Sequence, residues 1–207
     1  MGSKGISEAV IKRLPKYYRQ IKMLDDANVE RVSSSALAEI LGITASQVRQ
    51  DFYNFGGFGQ QGYGYDVKNL KKEIAAILGL DREYNMIIVG AGHIGKALTG
   101  YKGFVKEGFR IKALFDINVQ EKVYNDVPVY PMYNLEDYLK ENQIDFAVIA
   151  TQADSAEDVA RELIKNGIKS IWNFAPIDLR VPKDVVVENI SMSESLFVLS
   201  YRSKNRT

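Results

Sequence analysis

IIVGAGHIGKAL, residues 87–98, decides how this chain is read. An apolar run ends at Gly90, and Gly92 and Gly95 follow at the spacing Gly-x-Gly-x-x-Gly before a helical pattern begins. Strand, glycine loop and helix in that order form the context a dinucleotide fingerprint requires. Gly90 permits the tight turn, Gly92 lets a pyrophosphate approach the backbone, and Gly95 allows the helix to pack closely on the strand. The opening of the helix offers free N–H groups and the positive end of its dipole to phosphate. Asp116 ends the next apolar strand roughly 20 residues on, where a carboxylate bonds the adenine ribose hydroxyls. It also repels the 2′-phosphate of NADP, so NADH and NAD+ are the expected cofactors. The loop contacts are Gly90, Ala91, Gly92, His93, Ile94 and Gly95. His93, the one histidine of the chain, is expected in the first helical turn beside phosphate, too far from a nicotinamide to serve as a catalytic acid.

Outward from this loop the pattern alternates between strand and helix. MIIVG (86–90), FRIKALFD (109–116), IDFAVIAT (144–151) and IKSIWNFAP (168–176) read as buried strands, with HIGKALTGY (93–101) and SAEDVARELIKNG (155–167) as helices. VPVYP (127–131) and DVVVEN (184–189) read as further short strands. This is the signature of an α/β fold with a doubly wound parallel sheet. Thr151 and the loop Asn173-Phe174-Ala175-Pro176 can frame a nicotinamide ring, but neither brings an acid–base group. After the sheet one helix remains, too little for a substrate domain. No catalytic residue is expected, and the loop is read as binding a cofactor without using it in chemistry. An NAD(H)-dependent oxidoreductase with an accessory helical domain is the alternative. A nucleotide- or CoA-binding scaffold whose helices contact protein is a third reading.

The chain of 207 residues carries 46% hydrophobic and 26% charged residues with net charge +1, a balance suited to packed cores in more than one domain. Its lack of cysteine excludes disulfides, thiolate-bound zinc or iron–sulfur centres and thiol switches, and no metal site is expected. No apolar run approaches the roughly 18 residues of a membrane span, and the first residues show no apolar h-region, so a cytoplasmic place is expected. The charge is uneven: Lys4, Lys12, Arg13, Lys16, Arg19 and Lys22 crowd the first segment, with Glu8 the acid among them.

That segment, residues 7–27, has Val10, Ile11, Leu14, Tyr18, Ile21 and Leu24 at helical spacing, and Pro15 within it predicts a late helix start or a kink. Ser33, Ser34 and Ser35 can cap a following helix whose inner face is Ala36, Leu37, Ile40 and Leu41. Gly42 ends it, and Thr44 or Ser46 caps another helix with Val48 and Phe52 inward. Helix, glycine turn and helix make a helix-turn-helix. Its second helix presents Gln47, Arg49, Gln50 and Tyr53 outward, and Arg and Gln side chains match guanine and adenine edges in the major groove. The serines at 33–35, Ser46 and basic residues of the first helix, Arg13 among them, are positioned for phosphates. GGFGQQGYGYDV (56–67) has the glycine density of a tight hairpin, a wing tipped by Gln60 and Gln61. A helix is expected from Val67 to Leu78, and GLDREYN (79–85) marks the boundary. The domains are thus 1–80 for DNA, 85–190 for the dinucleotide and 191–207 for a C-terminal helix. That last helix opens with Ser191 and Glu194 as a capping box. Its run Leu196-Phe197-Val198-Leu199 is apolar nearly all round and demands burial, in its own subunit or in a partner.

In this order SSSALAEILGITASQVRQDF, FGGFGQQGYGYDV, VGAGHIGKAL, GIKSIWNFAP and VPKDVVVEN resemble the Rex family of redox-sensing transcriptional repressors, over nearly the whole chain. The resemblance implies a homodimer with winged-helix DNA-binding heads, Rossmann cores and a domain-swapped C-terminal helix. It implies repression of fermentation and NADH-reoxidation genes through a palindromic operator, with NADH releasing the operator and NAD+ competing for the same site. Arg49 and Gln50 fall where the family reads bases, and Gln60-Gln61 at the wing tip. Many members have Lys at the Gln50 position and a basic wing tip, so a different operator preference and salt dependence are implied here. Arg19 and Tyr101 match two members of a polar switch between domains. The third is an Asp where this chain has Ser191, which forms no charged pair with Arg19. The family's FDxDP reads FDINV here: Asp116 is kept, while Asn118 and Val119 depart.

Overall fold

The computed structural model describes residues 6–56 and 63–205. The chain divides into two compact units, Met1–Arg82 and Glu83–Thr207.

The first unit opens with helix α1 (Glu8–Asp26), which begins at Glu8 and runs through Pro15, not after it. Proline costs the helix one i→i−4 hydrogen bond, here the one to the Ile11 carbonyl. Pro15 and Ile11 both lie on the exposed face, so the freed carbonyl is not buried without a partner. The buried line is Val10, Leu14, Tyr17 and Ile21. Ile11, expected inside, is 46% exposed; Tyr18 packs partly buried against the core, and Tyr17, fully buried, lies deeper in it. Tyr17 has a ring partner in Phe52 at 4.9 Å and a carboxylate for its hydroxyl, which a buried phenol needs.

After strand β1 (Arg31–Val32), helix α2 (Ser34–Leu41) is capped by Ser33, whose Oγ accepts from the Ala36 N–H at 3.0 Å, and ends at Gly42 with φ +66°. Leu37 and Ala38 are its buried residues. Ile40, expected on the inner face, is 47% exposed, because two turns present only one line to the core. Helix α3 (Ala45–Tyr53) is capped by Thr44, not Ser46: the Thr44 Oγ1 accepts from the Gln47 N–H at 3.1 Å. Strand β2 (Tyr65–Asp66) pairs antiparallel with β1. These two-residue strands are too short to show alternation in the sequence. The expected wing tip, with Gln60 and Gln61, lies outside the described residues. Beside it Gly64 has φ +70°, and a Cβ there would meet the Val32 carbonyl oxygen at 2.8 Å. Helix α4 (Val67–Ile77), capped by Asp66, closes the core with Val67, Leu70 and Ile74.

The second unit is built on a seven-stranded sheet. Strand β3 (Tyr84–Val89) leads to helix α5 (His93–Thr99) and a short helix α6 (Lys102–Lys106) that the sequence pattern did not separate. Strand β4 (Phe109–Asp116) follows, then a hairpin of β5 (Val123–Tyr124) and β6 (Val127–Pro131). Its turn places Asn125 and Asp126 at φ 47° and 63°, the pair of positive φ values a two-residue type I′ turn needs. Helix α7 (Leu135–Glu141), also unforeseen, leads to β7 (Phe146–Ile149), α8 (Ala153–Lys165), β8 (Ser170–Asn173), β9 (Val186–Asn189) and α9 (Met192–Lys204).

The strand order is β5-β6-β4-β3-β7-β8-β9, parallel except for β5. The parallel part reads outward in both directions from β3 and β7, the arrangement of two mononucleotide-binding halves, with its crevice at the carboxyl ends of those strands. Successive residues face opposite cores: Ile87 and Val89 pack with Ala156, Ala160 and Leu163 of α8, while Ile88 packs with Leu114 and Val148. Ser191 caps α9, its Oγ accepting from the Glu194 N–H at 3.3 Å. No residue of α9 is buried, and Leu196, Phe197, Val198 and Leu199 are 64, 69, 50 and 62% exposed. Among the described residues no helix is long and apolar enough to cross a membrane.

The glycines at the β3–α5 turn differ sharply in the space around them. A Cβ at Gly95 would stand 1.9 Å from the Gly90 carbonyl oxygen, whereas one at Gly92 would meet nothing within 4 Å. Gly95→Ala is therefore expected to destabilise the second unit by about 3 kcal/mol or more, and Gly92→Ala to melt within a degree or two of the unsubstituted chain. Thermal denaturation of the two variants, followed by circular dichroism, checks the contrast.

Candidate functional site

Two sites emerge, one in each unit. In the sheet unit, β3 delivers the glycine loop to the crevice: the Gly90 N–H bonds the Phe115 carbonyl at 2.7 Å, and the Ala150 N–H bonds the Val89 carbonyl at 2.8 Å. Gly90 takes φ +107°, and a Cβ there would meet the Ala150 carbonyl oxygen at 2.6 Å. Two clefts flank the start of α5. One, of about 360 Å³, is lined by Ala91, Gly92, His93, Lys96, Asp116 and Glu121 among others. The other, of about 520 Å³, runs over the ends of β3 and β7, past Gly90, Ile117, Thr151, Gln152 and Ser155. Gly92 and Asp116 belong to both, so the two are read as one trough, open where Gly92 lacks a side chain.

Asp116 is pinned in this trough. Its Oδ2 accepts from the Ala91 N–H at 2.7 Å and its Oδ1 from the Asn118 N–H at 2.8 Å. Each carboxylate oxygen retains a lone pair for a hydroxyl. His93 is the exposed first residue of α5, and Ile94 is half-buried behind it. Lys96, Glu121, Gln152 and Ser155, which the sequence did not single out, also line the walls.

At the far end the residues divide. Thr151 lines the larger cleft, its Oγ1 donating to the Gln152 carbonyl at 3.3 Å. Asn173 and Ala175, expected to touch cofactor, are buried instead. The Asn173 amide donates to the Ile177 carbonyl and to Asn189 Oδ1, both at 2.8 Å, and its Oδ1 accepts from the Ala175 N–H at 3.0 Å. With its polar atoms engaged inside the protein, Asn173 shapes the loop from behind. Phe174 is half-buried, edge-on to Trp172 at 4.6 Å. Tyr101 heads α6, 61% exposed, with its ring 4.8 Å from Phe104. Among the described residues no group of three or more His, Asp and Glu side chains is placed to hold a metal.

In the helical unit the site depends on Asp51, fully buried on the inner side of α3. Arg13 donates to it twice, Nε to Oδ2 at 2.7 Å and Nη2 to Oδ1 at 2.8 Å. The Tyr17 hydroxyl and the Gln47 amide donate at 2.8 Å each. Two expectations change as a result. Arg13 turns its guanidinium inward, away from a phosphate-contacting role, because a buried carboxylate needs a paired cation. Gln47 is half-buried with its amide on Asp51, so the outward face of α3 reduces to Ser46, Arg49, Gln50 and Tyr53, the last 76% exposed. Arg49 reaches back to α2, donating from Nη1 to the Ser34 Oγ at 3.1 Å. Ser33 caps α2, Ser35 is exposed, and Arg19 stands exposed on α1.

Burial pushes the Asp51 carboxyl up, but hydrogen bonds from Arg13, Tyr17 and Gln47 outweigh it and hold the carboxyl below its ordinary value. Burial, with the same carboxylate, pushes the Tyr17 phenol up. Since the folded-state value of Asp51 is depressed, its contribution is complete above the unfolded-chain value of about 3.9. It is lost as the pH falls through the folded-state value. Arg13→Ala leaves a buried charge without its cation and should cost about 2–4 kcal/mol. The triple Arg13→Met, Tyr17→Phe and Asp51→Leu, which removes the buried hydroxyl together with its acceptor, should recover most of that loss. Denaturant melts of the three chains at pH 7 check both statements, and a melt series below pH 5 should show the advantage of the unsubstituted chain over the triple variant disappearing.

Comparison with known proteins agrees with this division. Residues 5–52 match the family described as Putative DNA-binding protein N-terminus, and residues 81–177 the one described as CoA binding domain. The redox-sensing transcriptional repressor Rex of Clostridioides difficile (strain 630) is 53% identical over 99% of this chain and 98% of its own. The crystal structure of RSP in complex with β-NAD+ and operator DNA superimposes with a TM-score of 0.91 at 49% identity, covering 96% of this chain and 93% of that one. The complex of RSP with β-NADH gives 0.88 at 46% identity, covering 95% and 93%. With identity at this level along nearly its whole length, this chain belongs to the Rex family of redox-sensing transcriptional repressors.

Proposed function

We propose that this chain is a DNA-binding transcriptional repressor that senses the NADH/NAD+ ratio and is not an enzyme. The observation that carries the reading is the joining, in one chain, of a helix-turn-helix with Arg49 and Gln50 exposed to a trough whose open Gly92 and pinned Asp116 suit a dinucleotide. The Cβ-free space at Gly92 admits a pyrophosphate, and the carboxylate beside it takes ribose hydroxyls. Thr151 marks the nicotinamide end, where the ring's positive charge and planarity are lost on reduction. The residue chemistry there need only tell the two ring forms apart.

Two copies act together, in the cytoplasm, on a palindromic operator. The exposed apolar residues of α9 support an exchange of this helix between subunits, since such a face demands burial. In a two-fold dimer the recognition helices must meet major grooves about 34–36 Å apart. An open dimer holds them at that spacing, and a closed dimer favoured with NADH bound does not. Arg49 and Gln50 read bases, while Ser34, Ser35, Ser46 and the exposed lysines of α1 hold phosphates. Arg19, Tyr101 and Ser191 occupy the family's switch positions, and the uncharged Ser191 forms no charged pair with Arg19. The genes under control are those of fermentation and NADH reoxidation.

Selection of bound sites from a random duplex library, run without cofactor, with NAD+ and with NADH, tests the reading. A palindrome suppressed by NADH alone is expected. Enrichment indifferent to both cofactors would leave a repressor without sensing, and no enrichment would return the oxidoreductase reading. Arg49→Ala should erase the selected palindrome. Asp116→Ala should blunt the NADH response by at least tenfold in cofactor concentration while leaving operator affinity in place.

A further inference from the structure

The smaller cleft holds a charge arrangement that the pinned Asp116 alone does not explain. Lys96, on α5, lies with its side chain only 25% exposed, its Nζ 4.9 Å from the centre of the Tyr124 ring. That ring belongs to the β5–β6 hairpin, and Lys96 lines the cleft, so the ammonium stands at the cleft wall over the hairpin's tyrosine. A fixed cation beside the carboxylate that takes ribose hydroxyls is what a 2′-phosphate would seek. In this chain the cation is taken: Lys96 Nζ donates to Glu121 Oε1 at 2.9 Å, from the segment following β4. Glu121 also lines the cleft. Its charge raises the negative count there to two, with Asp116, against the one lysine.

We propose that Glu121 sets the preference for NADH over NADPH by masking Lys96, a role that rests on the reading of the trough as a dinucleotide site. Asp116 repels a 2′-phosphate directly, whereas Glu121 acts by withdrawing the lysine that lines the same cleft and would compensate that repulsion. The acid is the more exposed partner, at 52% against 25%, so substituting it disturbs little packing and releases the lysine in place. Glutamine at 121 keeps the shape and removes the charge. Aspartate keeps the charge on a shorter stem.

The test uses the full chain and titrates NADH and NADPH separately, followed by quenching of Trp172, the one tryptophan. Glu121→Gln should raise the NADPH-to-NADH affinity ratio about three- to fivefold, the size expected of a partly exposed ion pair. The gain should shrink as ionic strength rises above 0.15 M, where the Debye length falls below about 8 Å. It should vanish in the Lys96→Gln, Glu121→Gln double variant, and Glu121→Asp should retain most of the original preference. An unchanged ratio in Glu121→Gln overturns the proposal, as does an equal gain when Lys96 is already replaced. A purely structural role for Glu121 moves both affinities together and leaves the ratio where it was. Should the unsubstituted chain bind neither cofactor, the dinucleotide reading fails and this inference with it; NADH binding with an unmoved ratio sinks only the inference.

Discussion

The approach of Gly95 to the Gly90 carbonyl is the constraint on which the second unit depends. A Cβ there would be 1.9 Å from that oxygen, so the helix backbone lies directly on the turn that ends β3. This closeness starts α5 at the carboxyl edge of the sheet, where the strand order reverses. It also brings the Ala91 N–H within 2.7 Å of Asp116, tying the loop to the neighbouring strand. The trough on either side of Gly92 is a consequence of that geometry: the chain is pulled tight at positions 90 and 95 and left bare at 92. A site made this way owes its shape to backbone, which rotamer changes do not disturb.

The helical unit uses a different device for the same end. Its helix α3 is anchored by one buried carboxylate that receives four hydrogen bonds from three side chains. Such a network contributes less to stability than its contacts suggest, because two charges must leave water. Its effect is orientational: Asp51 can be satisfied only when α1 and α3 stand in one relation, with Gln47 drawn in and Arg49 and Gln50 left outward. Arg49 is steadied in turn by the Ser34 hydroxyl on α2, so the side chain we propose for base reading is held in a restrained pose.

Much of this was legible in the sequence because it rests on local rules. The glycine fingerprint, the strand-end Asp116, the Gly42 stop and the Ser191 cap each follow from a few adjacent residues. β4 and β6 also fall where their apolar runs place them. What could not be read depends on partners far along the chain. Arg13 looked like a phosphate contact because Asp51, 38 residues away, carries no local sign of burial. Tyr17 is the fully buried tyrosine for the same reason, with Tyr18 packed at the edge of the core. The burial of Asn173 has no local sign either, because its partner Asn189 lies 16 residues on, across the β8–β9 pair. Lys96 and Glu121, 25 residues apart, meet only once the β5–β6 hairpin has folded beside α5. The strands β1, β2 and β5 are two residues long, below the length at which alternation carries information.

A glycine trough and an anchored recognition helix in one chain make a sensor only if occupancy of one changes the affinity of the other. Linkage makes that claim exact in form: the factor by which NADH weakens operator binding must equal the factor by which operator weakens NADH binding. The most direct measurement is the affinity of the chain for NADH, with and without a saturating operator duplex of the selected sequence. A redox sensor binds NADH more weakly on the duplex, by the same factor that NADH takes from operator affinity, and shows no such loss on a scrambled duplex. Equal NADH affinity in the presence and absence of operator would contradict such coupling.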